Sequence, residues 1–124
     1  MYGAIHINRI VEHQGDITVA QVDHEIINTV QLFIRRLKED GITVESAYLF
    51  GSHAVNRAGR WSDIDVAVVS PDFSSDRFDE RLRLMKLSTE IDTRIEPVPY
   101  HINDFQDTDP LVDEIKKCGI RLTA

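Results

Sequence analysis

Hydrophobic residues recur at helical spacing, with polar residues between them, in two long segments of the chain. From Asp23 to Asp40 the apolar side chains recur at i, i+3 and i+4, which is the pattern of an amphipathic helix. Asp23 is a candidate N-cap for this helix, and Gly41 is a natural stop. A second helix is predicted over Asp76 to Asp92. Its apolar positions include Phe78, Leu82, Met85 and Ile91.

Two short apolar runs between these helices predict strands. The first covers Val44 to Phe50 and is ended sharply by Gly51-Ser52, and the second covers Asp63 to Val69. Residues 53–62 predict a short helical turn followed by a loop. This connection is short for a parallel crossover with a full helix, although a one-turn helix fits into it.

The C-terminal part of the chain predicts a strand, a helix and a last strand. Arg94 to Tyr100 contains Pro97 and Pro99, which lack the N–H group that a ladder needs, so an edge strand or a bulge is expected. Asp109, followed by proline, predicts a capped helix start. Residues 120–122 favour a final short strand. The order of elements predicts an α/β (α+β) fold, in which helices pack on a small mixed β-sheet.

The first 22 residues stand apart from this pattern. Ala4 to Ile10 and Ile17 to Val22 are β-prone and are separated by a turn sequence at His13 to Asp16. This segment fits either a hairpin or a loose arm. We therefore predict an N-terminal arm or hairpin over residues 1–22 and one domain over residues 23–124.

Composition limits the classes of function. The chain has 124 residues, 14 Lys and Arg, 21 Asp and Glu, and a net charge of −7, which argues against direct binding along a nucleic-acid backbone. An acidic site that holds a nucleotide through Mg²⁺ is compatible with this charge. No apolar run approaches the ~18–20 residues of a membrane span. A single cysteine, Cys118, and no visible signal peptide lead us to expect a cytoplasmic protein.

Two aspartates open the second predicted strand. Asp63 and Asp65 are two residues apart, so in a strand both side chains point to one face. Two adjacent carboxylates repel each other, and a divalent cation between them removes this repulsion. The competing interpretation is a strand-end cap at Asp63 and a solvated position at Asp65.

The turn before this strand has a chemistry of its own. Gly51 lets a phosphate approach the backbone closely, and amide groups at the start of a short helix attract anions. The Ser52 hydroxyl can donate to a phosphate oxygen. Taken alone, Gly-Ser is more often a plain turn from strand to loop.

A third carboxylate is expected beside the two aspartates. Glu96 is the first candidate because it lies on the predicted strand Arg94 to Tyr100. Asp92 is the competitor, and it ranks lower because it ends the preceding helix.

The combined pattern resembles a known family. Gly51-Ser52, ten residues, Asp63-Ile64-Asp65 and a later acidic strand residue are similar to the nucleotidyltransferase superfamily of the DNA polymerase β type, with its palm-like fold. The small size resembles the minimal nucleotidyltransferase (MNT) domains, which are often encoded beside a helical HEPN partner. The resemblance covers roughly residues 23–123.

This resemblance implies a set of roles. Asp63, Asp65 and Glu96 would bind two Mg²⁺ ions, and Glu96 would help to activate the acceptor hydroxyl. Gly51 and Ser52 would hold the triphosphate of ATP, and a nucleoside monophosphate, AMP, would be transferred to a hydroxyl with release of pyrophosphate.

Some residues depart from the family pattern. Asn56 stands where many minimal members have glycine, and the third acidic residue is glutamate rather than the commoner aspartate. Arg57 and Arg60 are candidates for neutralising phosphate charge, although a solvated loop arginine explains each equally well.

The five histidines do not have the spacing of a zinc site. His53 is better explained as a loop histidine than as a nucleotide contact. Trp61 favours core or interface packing over stacking on a base. Phe73, Phe78 and Phe105 are predicted to be packing residues.

The sequence is compatible with two functions. The first is an active nucleotidyltransferase, and its acceptor would come from another chain because 124 residues leave no room for an acceptor domain. The second is a non-catalytic subunit that pairs with or neutralises a helical HEPN-type partner, as an antitoxin does. A homodimer stays open.

Overall fold

The computed structural model describes residues 12–13, 16–17, 23–55, 57–59, 61–74 and 76–124, the first two pairs by their backbone alone. The strands are β1 (Glu12–His13), β2 (Asp16–Ile17), β3 (Ser46–Phe50), β4 (Ile64–Ser70), β5 (Ile95–His101) and β6 (Ile120–Leu122). The helices are α1 (His24–Glu39), α2 (Arg77–Thr89) and α3 (Pro110–Cys118), with 3₁₀ turns at Gly51–His53 and Ile102–Asp104.

Each of the three helices begins at an aspartate. The side chains of Asp23, Asp76 and Asp109 accept hydrogen bonds from backbone N–H groups of the first helical turn, at 2.8, 3.2 and 2.9 Å. Such a cap contributes about 0.5–2 kcal/mol of stability. The caps predicted at Asp23 and Asp109 are therefore confirmed. Gly41, at φ +88°, follows the first helix as predicted.

The four longer strands form one mixed sheet in the order β5-β4-β3-β6. Strand β3 is antiparallel to β4 and to β6, whereas β4 and β5 are parallel. The short connection between β3 and β4 therefore makes an antiparallel return rather than a crossover. Strand β5 lies at an edge, as Pro97 and Pro99 predict. The small mixed sheet with packed helices is confirmed.

Alternate residues of β4 divide the core between the two faces of the sheet. Ile64, Val66 and Val68 pack with residues of α1 and α2. Ala67 and Val69 pack with Val112 and Ile115 of α3 and with two aromatic residues. Helices α1 and α2 thus cover one face, and α3 covers part of the other. The central strand is buried on both sides, which explains its continuous apolar run.

Three sequence expectations about packing and local structure need correction. Phe78 was expected to pack, yet it is exposed on α2, whereas Phe73 and Phe105 are buried as predicted. Trp61 is 81% exposed, so it does not belong to the core of this chain. The helical turn expected within residues 53–62 lies slightly earlier, at Gly51–His53.

The N-terminal prediction is only partly covered by the structure. Strands β1 and β2 form a short antiparallel pair, in which Glu12 is opposite Ile17. The β-prone segment from Ala4 to Ile10 lies outside the described residues, so the arm or hairpin stays a prediction. None of the helices in the described ranges is suited by length and hydropathy to spanning a lipid bilayer.

Candidate active site

Three strand ends meet at one end of the sheet. Strand β3 ends there, while β4 and β5 begin there. Phe50 is opposite Asp65 in the β3–β4 ladder, and Asp65 is beside Glu96 in the β4–β5 ladder. The N–H of Ile64 donates to the carbonyl of Arg94 over 2.8 Å, which fixes the start of this parallel pair. Two of the predicted acidic residues therefore lie on adjacent strands.

The same two residues share one face of the sheet. Asp65 has the strand parity of Ala67, and Glu96 has that of Val98; both apolar residues belong to the α3 side of the core. The α3 cluster lies further along the strands, so the carboxylates occupy the end of this face. Asp65 and Glu96 are partly buried, and Asp63, just before β4, is exposed.

Asp65 is electrostatically uncompensated. Burial raises the pKa of its carboxyl, and the negative charges of Asp63 and Glu96 raise the pKa further, while His53 opposes this effect. Burial and like charge both disfavour the ionised form. A cation bound beside these carboxylates would remove both penalties. The donor set, which consists of carboxylate oxygens, suits a hard divalent ion such as Mg²⁺.

The raised pKa of Asp65 has a measurable consequence for stability. Because the folded-state pKa of Asp65 is raised, folding is opposed above that pKa, and the penalty disappears as the pH falls towards the ordinary value of 3.8. We expect Asp65→Asn to raise the melting temperature at pH 7 without metal, and the difference to vanish near pH 4. Thermal unfolding followed by circular dichroism between pH 4 and 8 measures it.

Asp72 supplies the control for that experiment. A hydrogen bond of 2.7 Å from the backbone N–H of Thr43 lowers the pKa of Asp72, which favours its ionised form. Asp72→Asn should therefore lower the melting temperature at pH 7, opposite in sign to Asp65→Asn. A lower melting temperature for Asp65→Asn at pH 7 would contradict the account of Asp65.

Gly51 brings the predicted phosphate turn against Asp65. Its φ of +76° is a conformation that favours glycine, and a Cβ atom at this position would overlap Oδ2 of Asp65. Ser52, next in the turn, is partly buried, and its carbonyl accepts a hydrogen bond of 2.8 Å from the N–H of Arg57. The structure thus places the Gly-Ser turn directly beside the Asp65 carboxylate.

The structure describes only one of the two arginines that are predicted to contact phosphate. The side chain of Arg57 is exposed next to the turn. Arg60, the other candidate, lies outside the described residues. Their roles towards phosphate stay predictions.

Glu96 is in the right register but faces a competing charge. Its Oε1 atom lies 3.9 Å from Nη2 of Arg81 on α2. Within the described ranges, no three His, Cys, Asp or Glu side chains converge closely enough to hold a metal ion. The backbone therefore supports Glu96 as a third ligand, while its side chain is directed towards Arg81.

Asp92, the competing third carboxylate, is already neutralised. Arg94 donates to it from its backbone N–H and from Nε and Nη2, over 2.8, 3.1 and 2.9 Å. The hydrogen bonds from the Arg94 side chain lower the pKa of Asp92. An aspartate held in this way has little unsatisfied charge to offer a metal, so Glu96 remains the stronger candidate.

His53 is the site residue that the sequence interpretation missed. Its side chain is buried rather than exposed in a loop, and Nε2 lies 3.4 Å from the carbonyl oxygen of Ser62. It thereby joins the Gly-Ser turn to the residue before Asp63. Only its position directly after Ser52 signalled a place in the site.

A cleft of about 750 Å³ opens beside the carboxylates rather than over them. It is lined by the start of α1, by the loop around Trp61 and by the turn between α2 and β5, and His53 forms part of its wall. None of Asp63, Asp65 and Glu96 lines it. Because Ile26 of α1 contributes to the lining, the cleft lies towards the α1 side of the sheet.

Residues 30–122 match the family model described as a nucleotidyltransferase domain. The chain belongs to the nucleotidyltransferase domain family. This match covers most of the chain, and it confirms the predicted class of enzyme and the resemblance drawn from the Gly-Ser and Asp-x-Asp pattern. No curated protein matches the chain.

Solved structures whose fold is similar to that of this nucleotidyltransferase include the following three. A Sulfolobus solfataricus protein assigned as a nucleotidyltransferase is 16% identical, with a TM-score of 0.55 and 78% of each chain covered. A toxin-antitoxin structure with AMP-PNP is 23% identical, with a TM-score of 0.57, covering 78% of this chain and 74% of that one. A toxin-antitoxin MntA-HpeT variant, in which a tyrosine is replaced by alanine, is 25% identical, with a TM-score of 0.53 and coverages of 73% and 68%. These likenesses confirm the fold.

Proposed function

We propose that the protein is a Mg²⁺-dependent nucleotidyltransferase that transfers AMP from ATP to a hydroxyl of a partner protein. The observation that carries this proposal is the contact between Gly51 and Asp65, with Glu96 beside Asp65 in the neighbouring strand. It joins a turn suited to phosphate to Asp65, whose ionised form is disfavoured by burial and by the negative charges of Asp63 and Glu96. Membership of the nucleotidyltransferase family supports the reaction class.

Each residue of the site has a part in this proposal. Asp63, Asp65 and Glu96 would hold two Mg²⁺ ions, which when bound stabilise charge on the attacking and leaving oxygens. The backbone at Gly51 and the hydroxyl of Ser52 would position the triphosphate. Arg57 and Arg60 would neutralise phosphate charge.

The transfer itself is a displacement at phosphorus. The acceptor oxygen bonds to the α-phosphorus, the bond from the α-phosphorus to the bridging oxygen breaks, and pyrophosphate leaves with its electron pair. Glu96 would accept the proton of the hydroxyl, because its carboxylate is partly exposed and an acceptor from outside the chain can reach it. For this, Glu96 has to turn from Arg81 towards Asp65.

The acceptor is proposed to come from a second protein. Most of this chain forms the nucleotidyltransferase unit, and the described residues add no acceptor domain to it. Two similar structures belong to toxin-antitoxin complexes, and one of them contains AMP-PNP. By this likeness and the MNT resemblance, we propose that the chain acts as an antitoxin on a helical HEPN-type toxin.

One observation favours a second function. Three acidic side chains do not converge on a metal site in the described part of the chain, and Glu96 is drawn towards Arg81. This arrangement suits a non-catalytic subunit that neutralises its partner by binding alone. The two functions differ in whether the partner becomes covalently modified.

Labelled ATP separates these functions. The tagged protein is incubated with Mg²⁺ and ATP labelled at the α-phosphate in a lysate of the source cells, with Asp63→Asn as the control. We expect label on one protein with the parent chain and none with the variant. A helical protein that co-purifies with both chains but carries no label would instead favour the binding subunit.

A further inference from the structure

The outer face of α2 carries a stripe of exposed apolar side chains. Phe78, Leu82 and Met85 are 70%, 50% and 38% exposed. Their spacing of i, i+4 and i+7 puts them on one side of the helix. Leu84 and Leu87 fill the opposite, buried side. Helix α2 is therefore apolar on two faces, and only one of them is used for folding.

Basic residues dominate the rim of this α2 stripe. Arg77 and Arg81 flank it on one side, and Lys86 and Asp79 flank it on the other, as helical geometry requires. This local excess of positive charge contrasts with the net charge of −7 of the whole chain. An apolar surface with a basic rim is complementary to an apolar surface with an acidic rim.

The arginine side of the rim reaches the strand that carries Glu96. Nη2 of Arg77 donates to the carbonyl of Pro99 over 3.3 Å, and its guanidinium lies 5.0 Å from the centre of the Tyr100 ring. Arg81 lies 3.9 Å from Glu96. A molecule docked on the stripe would therefore lie beside the candidate active site.

We propose that the α2 stripe docks an acidic amphipathic helix of the acceptor protein. This rests on the proposed function, since docking here would present a hydroxyl of that protein near Glu96. A second copy is the weaker occupant: in an antiparallel two-fold pairing, Arg77 and Arg81 of one chain would face the same arginines of the other. An acidic helix meets them with opposite charge and covers the apolar side chains between them.

Two synthetic peptides test the docking surface. One has a leucine stripe at helical spacing flanked by glutamates, and the other has lysines in place of the glutamates. Fluorescence anisotropy of the labelled peptides measures binding to the parent, to the Phe78→Ala/Leu82→Ala double variant and to Leu32→Ala. Leu32 is a matched control because it is 48% exposed on a different helix, α1.

The acidic peptide should bind the parent at least about tenfold more tightly than the basic one, and the double variant should lose about tenfold in affinity. Leu32→Ala should bind like the parent. Equal binding of both peptides, or no effect of the double variant, would overturn the proposal. So would a concentration-dependent dimer in sedimentation experiments that the double variant abolishes, because a second copy would then occupy the stripe.

Nucleotide binding separates this proposal from the proposed function. The double variant should bind Mg-ATP like the parent, because neither side chain lies in the candidate site. Asp65→Asn should bind the acidic peptide like the parent. If the parent fails to bind the acidic peptide but binds Mg-ATP, only the docking surface is rejected. If the parent binds the acidic peptide but not Mg-ATP, only the enzyme assignment is rejected.

Discussion

Replacing Asp65 by asparagine is expected to abolish metal-dependent nucleotide binding while the protein stays folded. Asp65 is the carboxylate that is in register with Glu96 and in contact with Gly51. Asparagine keeps the size of the side chain but removes the negative charge that a divalent cation requires. Loss of an outer-shell partner alone weakens metal binding by about 10–100-fold, so we expect loss of a direct ligand to weaken it by at least about 100-fold. Asp63→Asn should have a similar effect.

Calorimetric titration with Mg-ATP, and with ATP in the presence of EDTA, measures this loss. Asp79→Asn serves as the control. Asp79 is an exposed aspartate in the first turn of α2, and it lies on a different element from Asp63 and Asp65. The control should bind as the parent does. Parent-like binding of Mg-ATP by both Asp63→Asn and Asp65→Asn would show that the metal assignment is wrong.

Gly51→Ala is expected to have the second-largest effect, because it acts on backbone and site together. Its φ of +76° costs an L-residue about 1–2 kcal/mol. In addition, the new Cβ would overlap Oδ2 of Asp65, so that carboxylate has to turn away. We expect a loss of stability of about 1–3 kcal/mol and at least a tenfold loss in Mg-ATP affinity.

Gly41→Ala separates the two parts of that effect. Gly41 has a φ of +88°, but a Cβ atom there meets no other atom within 4 Å. It should lose about 1 kcal/mol of stability and keep its nucleotide affinity. Urea unfolding gives the stabilities, and titration gives the affinities. If Gly51→Ala bound Mg-ATP as well as Gly41→Ala, the turn would not act through Asp65.

Local signals in the sequence predicted most of the elements. Aspartate caps and apolar periodicity marked the starts of α1 and α3, because these depend on neighbouring residues alone. The strand predicted from Asp63 begins at Ile64, so Asp65 lies in it as predicted and Asp63 lies just before it. Pro97 and Pro99 marked an edge strand, because a missing N–H group excludes a central position.

What the sequence left undetermined depends on contacts between distant segments. Helix α2 has apolar residues on two sides, so periodicity could not decide that Leu84 rather than Phe78 faces the core. His53 is buried, and its Nε2 atom lies near the carbonyl oxygen of Ser62, nine residues away, which no local pattern indicates. The direction of the Glu96 side chain depends on Arg81, which lies on the preceding helix.

The two prolines of β5 also decide how this protein can associate with others. The carbonyl of Pro99 points away from β4, towards Arg77, so Pro97 and Pro99 share the outer side of the edge strand. At both positions the outer side has no N–H group to offer. An extended peptide cannot build a continuous ladder there, and neither can a misfolded copy of the chain. The edge that carries Glu96 is thereby protected against strand addition and fibril-like aggregation, and recognition at this edge is left to side chains.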